Sequence, residues 1–238
     1  VEPAPAGDLE TEPTGSLLHR TCPSCGTDNA SEPPLDYSWQ HWVLRECGKC
    51  EFVYLENPPD YADLAVAFAW ERNHGDRSKR MRKEYPVSHA ISRAWREFYR
   101  AVVKKPDKLA NRIRKWVSPG EVIDVGCGDA DRLLVLPDHY ACCGIEISEA
   151  LAKAGEERLA KRNGRIINAP ALEGLESFPS GQASGVLMRS FLEHEHQPVK
   201  LLAQAFRLLQ PGGVTIIKVP NFASINRRVM GSRWCGFR

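Results

Sequence analysis

The sequence lacks the features that would place a protein in or across a membrane. No stretch of about 18 apolar residues occurs, so we expect no membrane-spanning helix. The first residues are polar and rich in proline, so we expect no secretory leader. No internal repeat is visible, which argues against a solenoid or a propeller. These absences favour a globular cytoplasmic protein.

Net charge is also nearly absent, but it is unevenly distributed. The 238 residues carry a formal net charge of +2, while residues 71–118 hold fifteen Lys or Arg against five Asp or Glu. Such a segment either contacts a polyanion such as nucleic acid or forms a solvated helical face, and we favour the solvated face. Its aromatic side chains recur near helical spacing, so we expect them to pack in a core: Trp95, Phe98, Tyr99 and Trp116.

The most informative segment is a strand-like run that ends in a glycine turn, Asp124-Val-Gly126-Cys-Gly128. Glycine lets the backbone turn sharply and approach a ligand closely. Glu146 follows one short helix later at the tip of the next strand, where an acid can accept both ribose hydroxyls. The spacing predicts a nucleoside site, and an ordinary strand-to-helix turn is the alternative.

The kind of nucleoside is indicated by what the turn lacks. A dinucleotide site has a third glycine, but Asp131 stands at that position and is a poor neighbour for a diphosphate. Asp124 places a carboxylate beside the turn, which suits a cationic ligand. S-adenosylmethionine has an ammonium and a sulfonium group and no phosphate, so these residues favour it.

From residue 121 onward the chain resembles the class I S-adenosylmethionine-dependent methyltransferases, in particular the bacterial and ubiquinone-type enzymes that act on small molecules. The matching motifs are Asp124-x-Gly126-x-Gly128-x-Ala130, Leu192-Glu-His194, Pro198 before a helix, Leu209-Gln-Pro-Gly-Gly213 and Pro220-Asn221. The resemblance implies a cofactor site made of Asp124, Gly126, Cys127, Gly128, Glu146, Ile147, Met188 and Arg189.

The sequence departs from the family's pattern at three positions. Ala130 replaces the third glycine of the turn. Near Ala169 the family places an aspartate that meets the adenine amino group, and its absence leaves adenine to backbone groups and apolar packing. Some relatives hold a divalent metal with E-x-x-E-H, but Ser190 replaces the first glutamate here and only Glu193 and His194 match, so a metal-assisted mechanism is a less favoured alternative.

A general base is the expected catalytic group, because transfer of a methyl group to a hydroxyl releases a proton. Histidine suits this role near neutral pH, and His194 follows the fourth strand of the predicted sheet. Glu193 could orient its ring, and His196 is a weaker candidate base. The alternative is that Glu193 makes a local contact and His194 only packs in the loop.

Two C-x-x-C knuckles near the start predict a metal site made of Cys22, Cys25, Cys47 and Cys50. Zinc prefers four thiolates in a tetrahedron, and each knuckle supplies two of them from one turn. Gly26 and Gly48 would permit the tight backbone. Disulfides are the alternative, but cytosolic thiols stay reduced. Four cysteines leave no open position, so the zinc should be structural. Cys142 and Cys143 should be core thiols.

The predicted fold is α/β, with a Rossmann-like doubly wound parallel sheet preceded by a small zinc ribbon and a helical segment. The expected parts are a flexible tail at 1–20, the ribbon at 21–60, basic helices at 61–118 and the cofactor domain at 119–238. Sheet strands are expected at 122–125, 142–147, 165–167, 185–188 and 214–219, with helices from 130 and at 149–162, 199–209 and after 221.

Few residues follow the last of these strands, so we expect the final strands of the family's fold to be missing, and valine at position 1 suggests a processed or fragmentary start. The sequence thus predicts an S-adenosylmethionine-dependent methyltransferase with structural zinc that acts on a small molecule or sugar. The favoured acceptor atom is a hydroxyl oxygen, and a carbon or nitrogen is the less favoured alternative. The alternatives are an RNA methyltransferase that uses the ribbon and basic helices, and a non-catalytic fragment that only binds the nucleoside. The oligomeric state stays open.

Overall fold

A computed structural model describes residues 19–38, 41–59, 61, 94, 108–162, 164–231 and 234. The N-terminal part contains two short strands, β1 (Leu44–Glu46) and β2 (Val53–Leu55), which pair antiparallel with Arg45 opposite Tyr54. The two knuckles with the four cysteines flank β1.

The main part of the protein is a five-stranded sheet in which all strands are parallel, with the order β5-β4-β3-β6-β7. The strands are β3 (Gly120–Val125), β4 (Tyr140–Glu146), β5 (Arg165–Asn168), β6 (Ala183–Arg189) and β7 (Leu209–Lys218). The order reverses between β3 and β6, which is the position where doubly wound sheets bind their ligands. The predicted α/β fold is therefore confirmed.

Helices cover both faces of this sheet. They are α1 (Lys108–Trp116), α2 (Glu149–Leu159), α3 (Ala171–Glu176) and α4 (Pro198–Leu208). A further short helix, α5 (Ile225–Met230), follows β7 and has no buried residue. Local sequence fixes several helix starts: the Ser148 side chain accepts a hydrogen bond from Leu151 N–H, and Pro198 occupies the first turn of α4, where a missing N–H costs nothing.

The core lies in two layers because neighbouring residues of β3 point to opposite faces. Ile123 and Val125 pack with α3 and α4, whereas Val122 packs with α1 and the end of α2. Both sets are fully buried, as expected for parallel strands covered on both sides. Cys142 and Cys143 divide between the same two layers, which confirms that they are core thiols.

Three local expectations were wrong. The helix expected from residue 130 is a series of turns, because Ala130 has a φ of +65° and Pro137 follows after one short segment. The helix α3 was not predicted, since six residues carry too little periodicity. Trp116 is 60% exposed beneath the Lys115 ammonium instead of packing in a core.

The predicted tail and basic segment are described only at their edges. His19 and Arg20 were placed in the tail, but Arg20 bonds to the ribbon: its N–H donates to Glu56 O at 3.0 Å. Residues 1–18 and most of 62–107, which include Trp95, Phe98 and Tyr99, lie outside the described residues. Within the described part, no helix is both long enough and apolar enough to cross a membrane.

Candidate cofactor site and metal centre

The carboxyl ends of β3, β4 and β6 bring the predicted cofactor residues to one edge of the sheet. Val125 pairs with Ile145 on one side and with Met188 on the other. The next residues along the three strands, Gly126, Glu146 and Arg189, therefore lie at the same level. Sequence spacing alone could indicate this edge, because parallel strands end together.

The Glu146 carboxylate connects the glycine turn to the turn after β4. Gly128 N–H donates to Oε2 at 2.8 Å, and Ser148 N–H donates to Oε1 at 2.9 Å. Glu146 is 8% exposed, so this acid is held rigidly at the strand end. No described atom lies within 4 Å of the position that a Cβ would take on Gly128, which has a φ of +58°. The turn thus borders an open space beside a fixed carboxylate, as a nucleoside site requires.

Asp124 lies deeper than the sequence suggested. Its side chain is 5% exposed at the end of β3. Burial raises the pKa of Asp124 to about 7, while Arg189 and Arg132 act to lower this pKa and Glu146 acts to raise it. A cation bound at this edge would favour the ionised carboxylate, so the group can respond to ligand charge.

The remaining predicted cofactor residues are placed unequally. Met188 is fully buried in the core, and Cys127 is buried with a raised pKa because of burial. Ile147 and Arg189 are half-buried at the sheet edge. Asp131, which the sequence set against a diphosphate, bonds to Arg158 of α2, and this ion pair secures the segment after the glycine turn.

The loop after β6 carries the predicted catalytic pair. A single 3-10 turn, Leu192–His194, places Glu193 and His194 on the surface. In the part of the chain that the structure describes, no hydrogen bond joins the two side chains. Phe191 leans over the glycine turn so closely that a Cβ on Gly126 would lie 2.3 Å from its ring. The turn that carries His194 therefore lies beside the candidate cofactor site.

Sequence reasoning missed a buried acid in the same loop. Glu195 is 4% exposed, and its Oε1 accepts hydrogen bonds from the Tyr61 hydroxyl and from Gln197 N–H at 2.9 Å. Burial and this carboxylate raise the pKa of Tyr61. Glu195 lies two residues before Gln197, the N-cap of α4, and glutamate is not a preferred capping residue, so no local signal in the sequence pointed to it. His196 stacks on the Tyr61 ring.

The four predicted metal ligands come together in the ribbon. All four Sγ atoms lie within 4.8 Å of one another, with Cys22 and Cys50 at 3.6 Å and Cys25 and Cys47 at 3.5 Å. A tetrahedral zinc with bonds of about 2.3 Å needs sulfur atoms about 3.8 Å apart. The cysteines are free thiols, so the residues fit a four-thiolate zinc.

The two knuckles have the same backbone design but different residues at the tight position. Gly26 N–H donates to Cys22 O at 2.8 Å, and Glu51 N–H donates to Cys47 O at 2.9 Å. Gly26 has a φ of +75° and Glu51 a φ of +58°, so each turn is closed by the residue that follows its second cysteine. The expectation that Gly48 would supply this freedom was wrong.

The thiols differ in how easily they ionise. Burial raises the pKa of Cys22 to about 12. Burial acts in the same direction on Cys47, but hydrogen bonds from the backbone of Cys50 and Lys49 outweigh it and bring that pKa to about 6. Backbone donors around a thiolate are the arrangement that a metal-binding knuckle requires.

About half of this chain is similar in fold to solved structures. Solved structures of similar fold include a SAM-dependent methyltransferase from Archaeoglobus fulgidus, with 23% identity over 51% of this chain and 56% of that chain and a TM-score of 0.43. Another is geranyl diphosphate C-methyltransferase from Streptomyces coelicolor A3(2), with 17% identity over 46% and 43% of the two chains and a TM-score of 0.40. The match thus spans about half the length of these proteins.

These likenesses are too weak to carry a functional argument, and no curated protein matches this chain. The family comparison is stronger, because it covers residues 87–238, well over half of the chain. That segment matches the family described as a methyltransferase domain, and it includes the glycine turn, Glu146 and the loop with His194. The chain therefore belongs to the methyltransferase-domain family.

Proposed function

We propose that this protein transfers a methyl group from S-adenosylmethionine to a hydroxyl of a small molecule or sugar. One observation carries the proposal: the Glu146 carboxylate is fixed beside the open glycine turn at the switch point of the sheet. Family membership supports the cofactor, since methyltransferase domains of this class use S-adenosylmethionine. Asp124 adds a carboxyl that a cationic ligand would hold in its ionised form.

Different residues at this edge of the sheet would bind different parts of the cofactor. Glu146 would accept hydrogen bonds from ribose hydroxyls, and the backbone at Gly126 and Gly128 would approach the ligand closely. The Asn168 side chain donates to Glu146 O at 2.8 Å, which secures the end of β5, where the adenine would lie beside Ala169. Adenine would then be bound by backbone groups and apolar contacts, as the missing aspartate at this position suggests.

His194 is the proposed general base. S-adenosylmethionine supplies an electrophilic methyl group on a sulfonium. When bound beside Glu146, the cofactor would supply this methyl group to the acceptor oxygen and would keep the electron pair of the broken carbon–sulfur bond. The hydroxyl proton then passes to the His194 imidazole, which is exposed at the loop surface and can reach solvent. Glu193 would orient the ring once a ligand closes the site.

Binding of the cofactor tests the first part of this proposal. Replacement of Glu146 by Gln puts an amide N–H₂ where a carboxylate oxygen accepts, so affinity for S-adenosylhomocysteine should fall by about 1–3 kcal/mol. Glu121→Gln removes a carboxylate at the opposite end of β3 and is the matched control. Calorimetry with equal affinity in wild type and Glu146→Gln would contradict the assignment, and so would tight binding of NAD.

Turnover tests the role of His194. In His194→Asn, affinity for S-adenosylhomocysteine should stay within twofold of wild type, while methyl transfer should fall by roughly 10²–10⁴-fold. Transfer is followed with radiolabelled S-adenosylmethionine on a panel of hydroxylated small molecules and sugars. The variant His139→Asn changes an exposed histidine outside the site and should be silent. Wild-type turnover in His194→Asn would contradict the role of His194 as the general base.

A further inference from the structure

The N-terminal part that contains the ribbon contacts the loop after β6, and Arg20 donates two hydrogen bonds to this loop. Arg20 lies two residues before the first zinc-binding cysteine. Its Nε donates to Leu55 O of β2 at 2.6 Å. Its Nη1 donates to the main-chain oxygens of Glu195 at 3.4 Å and His196 at 3.2 Å. A single guanidinium therefore bonds to the second strand of the ribbon and to the loop that follows the proposed base.

Tyr61, just beyond the ribbon, makes a second contact with the same loop. Its hydroxyl donates to Glu195 Oε1, and its ring stacks on His196 with the ring centroids 4.5 Å apart. The same Oε1 accepts from Gln197 N–H, so this carboxylate joins Tyr61 to the start of α4. Glu195 is only 4% exposed, so these protein partners replace water as hydrogen-bond donors to its carboxylate. Removal of the Tyr61 hydroxyl would therefore leave a buried acceptor without one of its donors.

The short turn that carries Glu193 and His194 lies between two anchors. On its N-terminal side, Phe191 rests on the glycine turn at Gly126. On its C-terminal side, Glu195 and the following residue are held by Arg20 and Tyr61. Within the turn, Leu192 packs against the core of the sheet, whereas Glu193 and His194 are exposed and contribute little packing of their own. The positions of these two side chains therefore depend on Leu192 and on the anchors on either side.

We propose that Arg20 and Tyr61 are positioning residues through which the ribbon fixes the loop of residues 192–197, and thereby the proposed base. The ribbon is then a support for the active-site loop as well as a zinc-binding fold. This inference rests on the proposed function only in giving the loop a part in methyl transfer. The physical coupling between ribbon and loop can be measured without cofactor or acceptor.

Hydrogen exchange of three loop amides tests the coupling, because His194 N–H, Glu195 N–H and Gln197 N–H are all bonded within the loop. In Arg20→Gln these amides should exchange at least tenfold faster, while amides of the central strands β3 and β6 keep their rates. The matched control is Arg162→Gln, which removes an arginine that bonds to two main-chain oxygens, Leu133 O and Leu134 O, away from the ribbon. It should leave the loop amides within twofold of wild type.

A second variant keeps the test decisive if Arg20→Gln unfolds the ribbon. Tyr61→Phe keeps the ring on His196 but removes the hydroxyl from Glu195, so exchange of the Gln197 amide should rise while the ribbon amides stay protected. The imidazole C2–H resonance of His194 should shift in both variants and not in Arg162→Gln. Unchanged loop exchange in Arg20→Gln and in Tyr61→Phe would overturn the proposal. Binding of S-adenosylhomocysteine to the same samples reports separately on the proposed function.

Discussion

At the residue scale, Asp124 lies where burial disfavours the ionised form of its carboxyl group. Its carboxyl is nearly buried, and burial raises the pKa from an ordinary 3.8 to about 7. At this one carboxyl the folded protein therefore binds more protons than the unfolded chain does between about pH 4 and pH 7. The stability that the neutral carboxyl contributes is fully present below pH 4 and is lost as pH rises through about 7.

Replacement of this carboxyl by an amide should remove that pH dependence. We expect the free energy of unfolding of Asp124→Asn, relative to wild type, to increase from pH 4 to pH 7 by up to about 1.4 kcal/mol per pH unit and then to level off. Urea unfolding at several pH values measures it. Asp138→Asn, at a fully exposed carboxylate, is the control. Its free energy of unfolding relative to wild type should not show this increase from pH 4 to pH 7. A pH-independent difference for Asp124→Asn would show that the carboxyl ionises normally.

At the residue scale, the sequence could predict what lies close along the chain. Gly126, Gly128 and Glu146 were recognisable because a turn and two strand ends have fixed spacing. The contact between Arg20 and Glu195 was not, because these residues are 175 positions apart and only the packing of the ribbon on the sheet brings them together. A guanidinium that bonds to main-chain oxygens leaves no complementary side chain in the sequence to indicate its partner.

The elements followed their sequence signals where those signals were strong. Cysteine spacing predicted the knuckles, and continuous apolar runs predicted the buried strands. The segment after the glycine turn has the buried apolar residues of a helix, Leu133 and Leu136, but Ala130 takes a left-handed conformation that prevents a helical start. Local backbone geometry of this kind is fixed by tertiary packing, since Ala130 is fully buried.

At the scale of a structural element, we expect the fold of the ribbon to depend on bound zinc. We expect one zinc per chain by elemental analysis, lost in Cys25→Ser but retained in Cys142→Ser, whose thiol lies in the core of the sheet. Removal of zinc by a chelator should expose the ribbon amides of Cys22 and Cys47 to exchange, because four thiols held within 4.8 Å repel one another once ionised. Amides of β3 should keep their protection. Freshly prepared, reduced protein without zinc would contradict this assignment.

At the scale of the whole molecule, β7 forms one edge of the sheet. Among the described strands it pairs with β6 alone. Ile217 is 40% exposed and Val219 is 46% exposed near the end of this strand, and Phe206 on the preceding helix is 79% exposed. An edge strand with exposed apolar side chains can pair with a strand of another molecule.

Self-association should therefore increase with protein concentration and depend on this edge. We expect light scattering coupled to size exclusion to give a mass that rises with concentration for wild type and stays constant for Ile217→Lys. Val135→Lys also places a charge at an exposed apolar position, but in the turns after β3, and should behave like wild type. A wild-type mass that stays at one chain over the whole range would contradict the expectation.

The two hydrogen bonds that the Glu146 carboxylate accepts, one from each turn, affect how fast a ligand can bind. Because Gly128 N–H and Ser148 N–H are already fixed by the carboxylate, a nucleoside arriving at the edge meets a surface that needs no ordering. Ligand capture should then be limited by diffusion and orientation, with a single exponential phase that scales linearly with ligand concentration.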